Sequence, residues 1–221
     1  GGVSIGFTGY GSMKSRHHIG PELQIGHRLG DHFEEPVLLI KTAWGGKSIY
    51  KDFRPPSAGG ETGEYYHKML AEVDEALKNY QEEFPVLKGM KPKWGGFIWF
   101  QGWNDMFNQD ALAQYEENLV HLIKDLRTRL NQPNLPVVVG ELGNMGEDAG
   151  NNMKFIREAQ RKACQRKEWK GRVSFVKTTN FARPKEESPN VGHGHHWFGN
   201  AESYFLIGDA LGKEMVRLLQ K

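Results

Sequence analysis

The chain has 221 residues and a single cysteine, Cys164. That excludes an intrachain disulfide and any paired-cysteine metal knuckle. Charge of one sign is lacking as well. Lys and Arg number 29 against 27 Asp and Glu, for a net charge of +2. No basic run suits nucleic acid or an anionic membrane surface. The apolar stretches fall far short of the about 18 residues that span a bilayer. There is no internal repeat, no low-complexity tract, and no His-Glu-x-x-His motif. The first residues, GGVSIGF, carry neither Met nor a signal-peptide pattern. The expectation is a processed chain or part of a longer polypeptide.

What is present is the alternation of an α/β protein, in an amount that suits one domain over residues 1–221. Residues 1–19 read as loop. Pro21 and Glu22 open a helix over 21–34, with Leu23, Ile25 and Leu29 on its apolar face. PVLLIKTA, 36–43, is almost wholly apolar and reads as a strand buried on both faces. Helices are expected at about 65–84, where Met69, Val73, Ala76 and Leu77 recur at helical spacing, and at 111–130. Two more are expected, one from NNMKF with Asn152 or a neighbour as cap, and one over AESYFLIGDALGKEMVRLL. Buried strands are expected at 95–101, 135–142 and 173–178. The strands lack polar alternation, so the sheet is expected to be parallel with helices on both faces. The helix at 21–34 has no strand before it, which points to a missing first strand.

In such sheets chemistry collects beyond the carboxyl ends of the strands. The loops there are Trp44–Ser48, Gly102–Asp105, Gly143–Asp148 and 179–200. In WGGKS, Gly45 and Gly46 can turn backbone N–H groups toward a ligand, or can form a plain tight turn. In WFQGWND, the amides of Gln101 and Asn104 can donate to an oxyanion, while Asn104 and Asp105 can equally cap the next turn. GHGHHWFGN holds His193, His195 and His196. One of them can be a general base, the three can be metal ligands with His17, His18 or His32 completing the set, or they can fill a polar loop. The charged flanks of Cys164, RKACQRKE, read as solvated helix surface that offers the thiol no base. Trp44, Trp103 and Trp197 are candidate walls for a sugar ring, or packing.

AWGGKS, WFQGWND, LPVVVGEL and HGHHWFGNAESYFLIGDALGKEM, in that order, resemble the SGNH hydrolase superfamily, and within it the sialate O-acetylesterase-like carbohydrate esterases. The resemblance runs from about residue 19 onward. It implies a three-layer α/β/α, flavodoxin-like fold with a mostly parallel sheet. Gly102-Trp103-Asn104-Asp105 is similar to the block whose Asn donates to the oxyanion. Gln101-Gly102 resembles the Gln-Gly-Glu of the acetylesterase branch, with Trp103 where that Glu stands. WGGKS is similar to the block whose glycine N–H lines the oxyanion hole.

The resemblance implies His196 as the base. His193 stands where the family's orienting Asp would be, which leaves Asp105, Glu186 or Glu187 to supply a carboxylate, or a backbone carbonyl to hold the ring. The family's serine block is not found. Ser4, Ser12 and Ser48 lack its context, so the nucleophile is expected upstream of Gly1, on the missing first strand. The implied function is removal of O-acetyl groups from a sugar by serine/histidine acyl transfer, without cofactor or metal. The implied partner is an acetylated carbohydrate, not nucleic acid or membrane. Enzymes of this appearance are often exported to the periplasm or the exterior. The alternatives are a metal-dependent hydrolase built on His193, His195 and His196, and a non-catalytic carbohydrate-binding domain.

Overall fold

The computed structural model describes residues 5–6 and 18–220, with side chains from Ile19 onward. Ser4, Ser12, His17 and the side chain of His18 lie outside the described residues. Ile5–Gly6 (β1) pairs in parallel with His18–Ile19 (β2). The expected loop over 1–19 is corrected at those four positions, because a two-residue ladder is too short to leave a periodic signal.

The main sheet has three parallel strands, Phe97–Trp99 (β3), Val137–Gly140 (β4) and Val173–Val176 (β5), in the order β3-β4-β5. Every residue of the central β4 is buried. Successive side chains of a strand leave on opposite faces, and β4 shows why there are three layers. Val137 and Val139 pack with Tyr115, Leu119, Ile123 and Ile156. Val138 packs on the other side with Ile25, Leu29, Ile207 and Leu211.

The first group comes from the helices Gln109–Arg129 (α3) and Asn151–Cys164 (α4). The second comes from Glu22–Gly30 (α1) and Ala201–Leu219 (α5). The helix Glu64–Glu83 (α2) adds Tyr66 and Met69 to the first core. The side chain of Asn108 caps α3, accepting from Ala111 N at 2.9 Å, and that of Asn200 caps α5, accepting from Ser203 N at 3.1 Å. Helix α4 starts after Gly150 instead, and Asn152 donates to the Met106 carbonyl at 2.8 Å.

The run 36–43 is corrected. It forms no strand. Its exposure alternates as a strand's would, with Leu38, Ile40 and Thr42 half-buried and Val37, Leu39, Lys41 and Ala43 exposed. Among the described residues none of its backbone groups pairs with another backbone group, and β3 carries a ladder on its β4 side only. Apolar composition favours a strand, but a ladder needs a neighbour.

Candidate active site

The candidate site is built from the end of β3 outward. Gly102 follows at φ +154°, where a Cβ would sit 2.9 Å from Ile156 Cγ2, so only glycine allows the close turn. The Gln101 carbonyl accepts from Tyr115 Oη at 2.8 Å and from Gln160 Nε2 at 2.9 Å. Buried side chains of α3 and α4 therefore clamp the peptide that leaves the sheet.

The side chain of Gln101 then ties this turn to the WGGKS loop. Its Nε2 donates to the Lys47 carbonyl at 2.9 Å and to Asp105 Oδ2 at 2.7 Å. A primary amide has two protons to give, and both are engaged. The expected oxyanion-donor role of Gln101 is therefore corrected. Gln101 positions the loop instead. Asp105 is fully buried and accepts from Ile49 N at 3.1 Å and Tyr50 N at 3.0 Å. Burial raises its pKa to about 6, against the pull of the Gln101, Ile49 and Tyr50 donors that favour the charged form. Its carboxylate thus serves the 45–50 loop, not the histidine it was expected to orient.

This bracing leaves three donors over. Gly45 and Gly46 are exposed, Gly46 lies at φ +72°, and a Cβ built on it would reach 3.7 Å from Asn104 Nδ2. The N–H groups of Gly45 and Gly46 and the Asn104 side-chain amide make no hydrogen bond among the described residues. Backbone amides and a carboxamide held by a rigid frame are donors ready for an anion. Ser48, by contrast, closes a turn, its N and Oγ reaching Asp52 Oδ2 at 2.8 and 3.0 Å.

The third loop comes in through aromatic contact. The His195 ring lies 5.7 Å from the ring of Trp103. His195 and His196 are 4.3 Å apart between centroids, His193 and His195 5.1 Å, and His193 and His196 6.2 Å. Among the described residues no group of three or more His, Cys, Asp or Glu could hold a metal ion. His193, His195 and His196 by themselves therefore form no metal cluster, and His32 lies beyond the end of α1 against Phe33.

Burial, and then the neighbouring His195 and His193, lower the pKa of His196 to about 4. Burial and His193 lower that of His195 as well. The His196 imidazole is therefore neutral and able to accept a proton at neutral pH. Glu186 and Glu187 are exposed, with Glu186 beside Lys185 at 3.8 Å. Among the described residues neither they nor Asp105 make an ion pair with a histidine.

The three tryptophans separate. Trp103 is half-buried between His195 and Phe107 at the candidate site. Trp44 packs on Phe53 and Tyr65, at 6.0 and 5.2 Å, toward α2. Trp197 is only 4 % exposed and stacks on Phe100 within the α1/α5 core. Its expected place on a sugar-binding wall is corrected, since no face remains for a ligand. Cys164 is buried and its thiol is pushed up to about 12, so it is no nucleophile. Sequence reasoning passed over Tyr115, Gln160, Asn144 and Tyr204. Only Asn144 carried a signal, because it lies in one of the four loops at the strand ends.

The fold is a three-layer α/β one with a parallel sheet. The family model described as carbohydrate esterase, sialic acid-specific acetylesterase, matches residues 8–217, and the chain belongs to that family. Among curated proteins it is 27 % identical over 146 residues to Probable carbohydrate esterase At4g34215 of Arabidopsis thaliana. That match takes in 64 % of this chain and 47 % of the relative, so the chain spans about half the length of the curated protein. The X-ray structure of the Arabidopsis protein shares the fold, with a TM-score of 0.66 and 20 % identity over 90 % of this chain and 68 % of that one. Among the described residues no helix is long and apolar enough to cross a membrane.

Proposed function

We propose that the protein removes O-acetyl groups from a carbohydrate by serine/histidine acyl transfer. A serine Oγ attacks the acetyl carbonyl carbon while His196 takes its proton. The carbonyl oxygen becomes the oxyanion, met by Gly45 N–H, Gly46 N–H and the Asn104 amide. The tetrahedral species collapses, the sugar oxygen leaves, and His196 returns the proton to it. Water then attacks the acyl-enzyme while His196 takes its proton, the bond to the serine Oγ breaks, His196 returns the proton to that oxygen, and acetate departs. The observation that carries this reading is the group of three donors that have no hydrogen-bond partner among the described residues, braced by Gln101 and Asp105 and joined to the histidine turn through Trp103 and His195.

In this reading the serine comes from outside the described residues. Two features support that reading: among the described residues β3 pairs on its β4 side only, and the backbone of the apolar run 36–43 makes no ladder. Trp103 offers one aromatic face to the sugar.

The test is acetate release from O-acetylated sugars by the protein with its complete coding region. His196→Ala is expected to lower the rate by about 10²–10⁴-fold, and a chelator to leave it unchanged. A near-normal rate in His196→Ala overturns the assignment. Sugar binding with no turnover by the complete wild-type protein favours a silent binding domain.

A further inference from the structure

A side chain is aimed by its Cα–Cβ bond, and that bond is set once the peptide planes on both sides are set. At His196 both planes are held from outside the turn. The plane before it ends in the His195 carbonyl, which accepts from Asn144 Nδ2 at 3.2 Å. The plane after it begins with the His196 carbonyl, which accepts from Tyr204 Oη at 3.2 Å. Asn144 gives its other amide proton to the Gly194 carbonyl at 3.0 Å.

We propose that Asn144 and Tyr204 are positioning residues, which hold the two peptide planes flanking His196 and so fix the direction of its Cα–Cβ bond, from which the imidazole is presented. The inference rests on the esterase reading of the same site.

The turn needs such holds. Trp197 and Phe198 stand consecutively at φ +54° and +53°. Bulky residues avoid that region, and they persist in it only where surroundings over-determine the backbone. The holders are themselves rigid. Asn144 is 2 % exposed. Its carbonyl accepts from Arg157 Nη2 at 2.7 Å, and the same guanidinium binds the carbonyls of Leu142 at 2.7 Å and Gly146 at 2.9 Å. A Cβ on Gly143 would collide with Thr178, so this post has no room to shift. Tyr204 is buried in the first turn of α5, where burial pushes the phenol pKa up and keeps the hydroxyl a donor at any working pH.

The test uses the complete protein, an aryl acetate as probe, and ¹⁵N-labelled histidine. Tyr204→Phe keeps the shape of the side chain and removes one hydroxyl. Asn144→Ala removes the other hold. Each is expected to lower kcat tenfold or more with KM changed less than about twofold. Each is also expected to displace the ring ¹⁵N signals of His196. The double variant should lose less than the product of the single losses, because both act on one residue. Unchanged kcat and unmoved His196 signals in Tyr204→Phe overturn the proposal, even where thermal stability falls. If the wild type releases no acetate, it is the esterase reading that fails. The His196 ring signals then decide alone: displaced in Tyr204→Phe they uphold the positioning, and unmoved they overturn it.

Discussion

Replacing Asp105 by Asn separates two effects that usually travel together. The carboxylate is fully buried, and its pKa rises from an ordinary 3.8 to about 6. A carboxylate raised in the folded state favours folding below its unfolded pKa and loses that advantage as pH climbs through the folded one. The loss falls between about pH 4 and 6, and at pH 7 the charge costs about 3 kcal/mol relative to the protonated form. Asparagine removes that cost. It adds another, because Oδ1 and Oδ2 together accept from Tyr50 N, Ile49 N and Gln101 Nε2. One carboxamide oxygen can keep Ile49 and Gln101, which leaves the new N–H₂ facing the amide of Tyr50. A buried unsatisfied donor costs about 1–3 kcal/mol.

The two terms nearly cancel, so Asp105→Asn is expected to unfold within about 2 kcal/mol of wild type at pH 7. It should lose the decline in stability between pH 4 and 6. Thermal unfolding of both proteins across pH 4.5–7.5 measures this. A fall in Tm of about 10 °C at pH 7, which for a chain of this size means about 3 kcal/mol or more, would show the charge to be net stabilising and refute the argument. Activity should drop regardless, since the 45–50 loop loses the tie at Tyr50.

Asn104→Ala removes a donor that braces nothing. Its kcat toward an acetyl ester should fall about 10²–10³-fold while Tm stays within about 2 °C, and a large Tm loss would contradict the free amide. Gly102→Ala forces a Cβ against Ile156 at φ +154° and should destabilise by about 2–3 kcal/mol in urea unfolding. An unchanged midpoint would refute the packing argument at the end of β3. The kcat/KM profile should rise with pH through about 4 as His196 loses its proton, and through about 6 as Asp105 ionises and tightens the loop. In Asp105→Asn only the lower limb should remain; persistence of the step near 6 would assign it elsewhere.

The helices were readable because an amphipathic period leaves three or four regular apolar positions. Helix α3, expected at 111–130, runs Gln109–Arg129, and Asn108 does the capping. The strand β4 was readable because a central parallel strand is apolar on both faces. The same rule misread 36–43, since apolar composition reports a tendency to pair and says nothing of a partner. Gln101 was picked out as a site residue on chemistry alone. Its role could not be read, because that depends on where its two protons go. Trp197 in a site-bearing motif fits a sugar wall as well as a core, and only its stack on Phe100 decides. Asn144 stands 51 positions from His195, and no local pattern joins them.

By itself the sequence determined the order and type of most elements, the loops that face the strand ends, and the kinship with carbohydrate esterases. These follow from periodicity and from short motifs, which are properties of neighbouring residues. Tertiary structure alone decided which donors remain unengaged and which carboxylate braces which loop. It also decided which side chains hold the peptides around His196. Hydrogen-bond saturation belongs to pairs of groups brought together by folding, and each amide proton given to Lys47, Asp105 or His195 is one that no ligand can take.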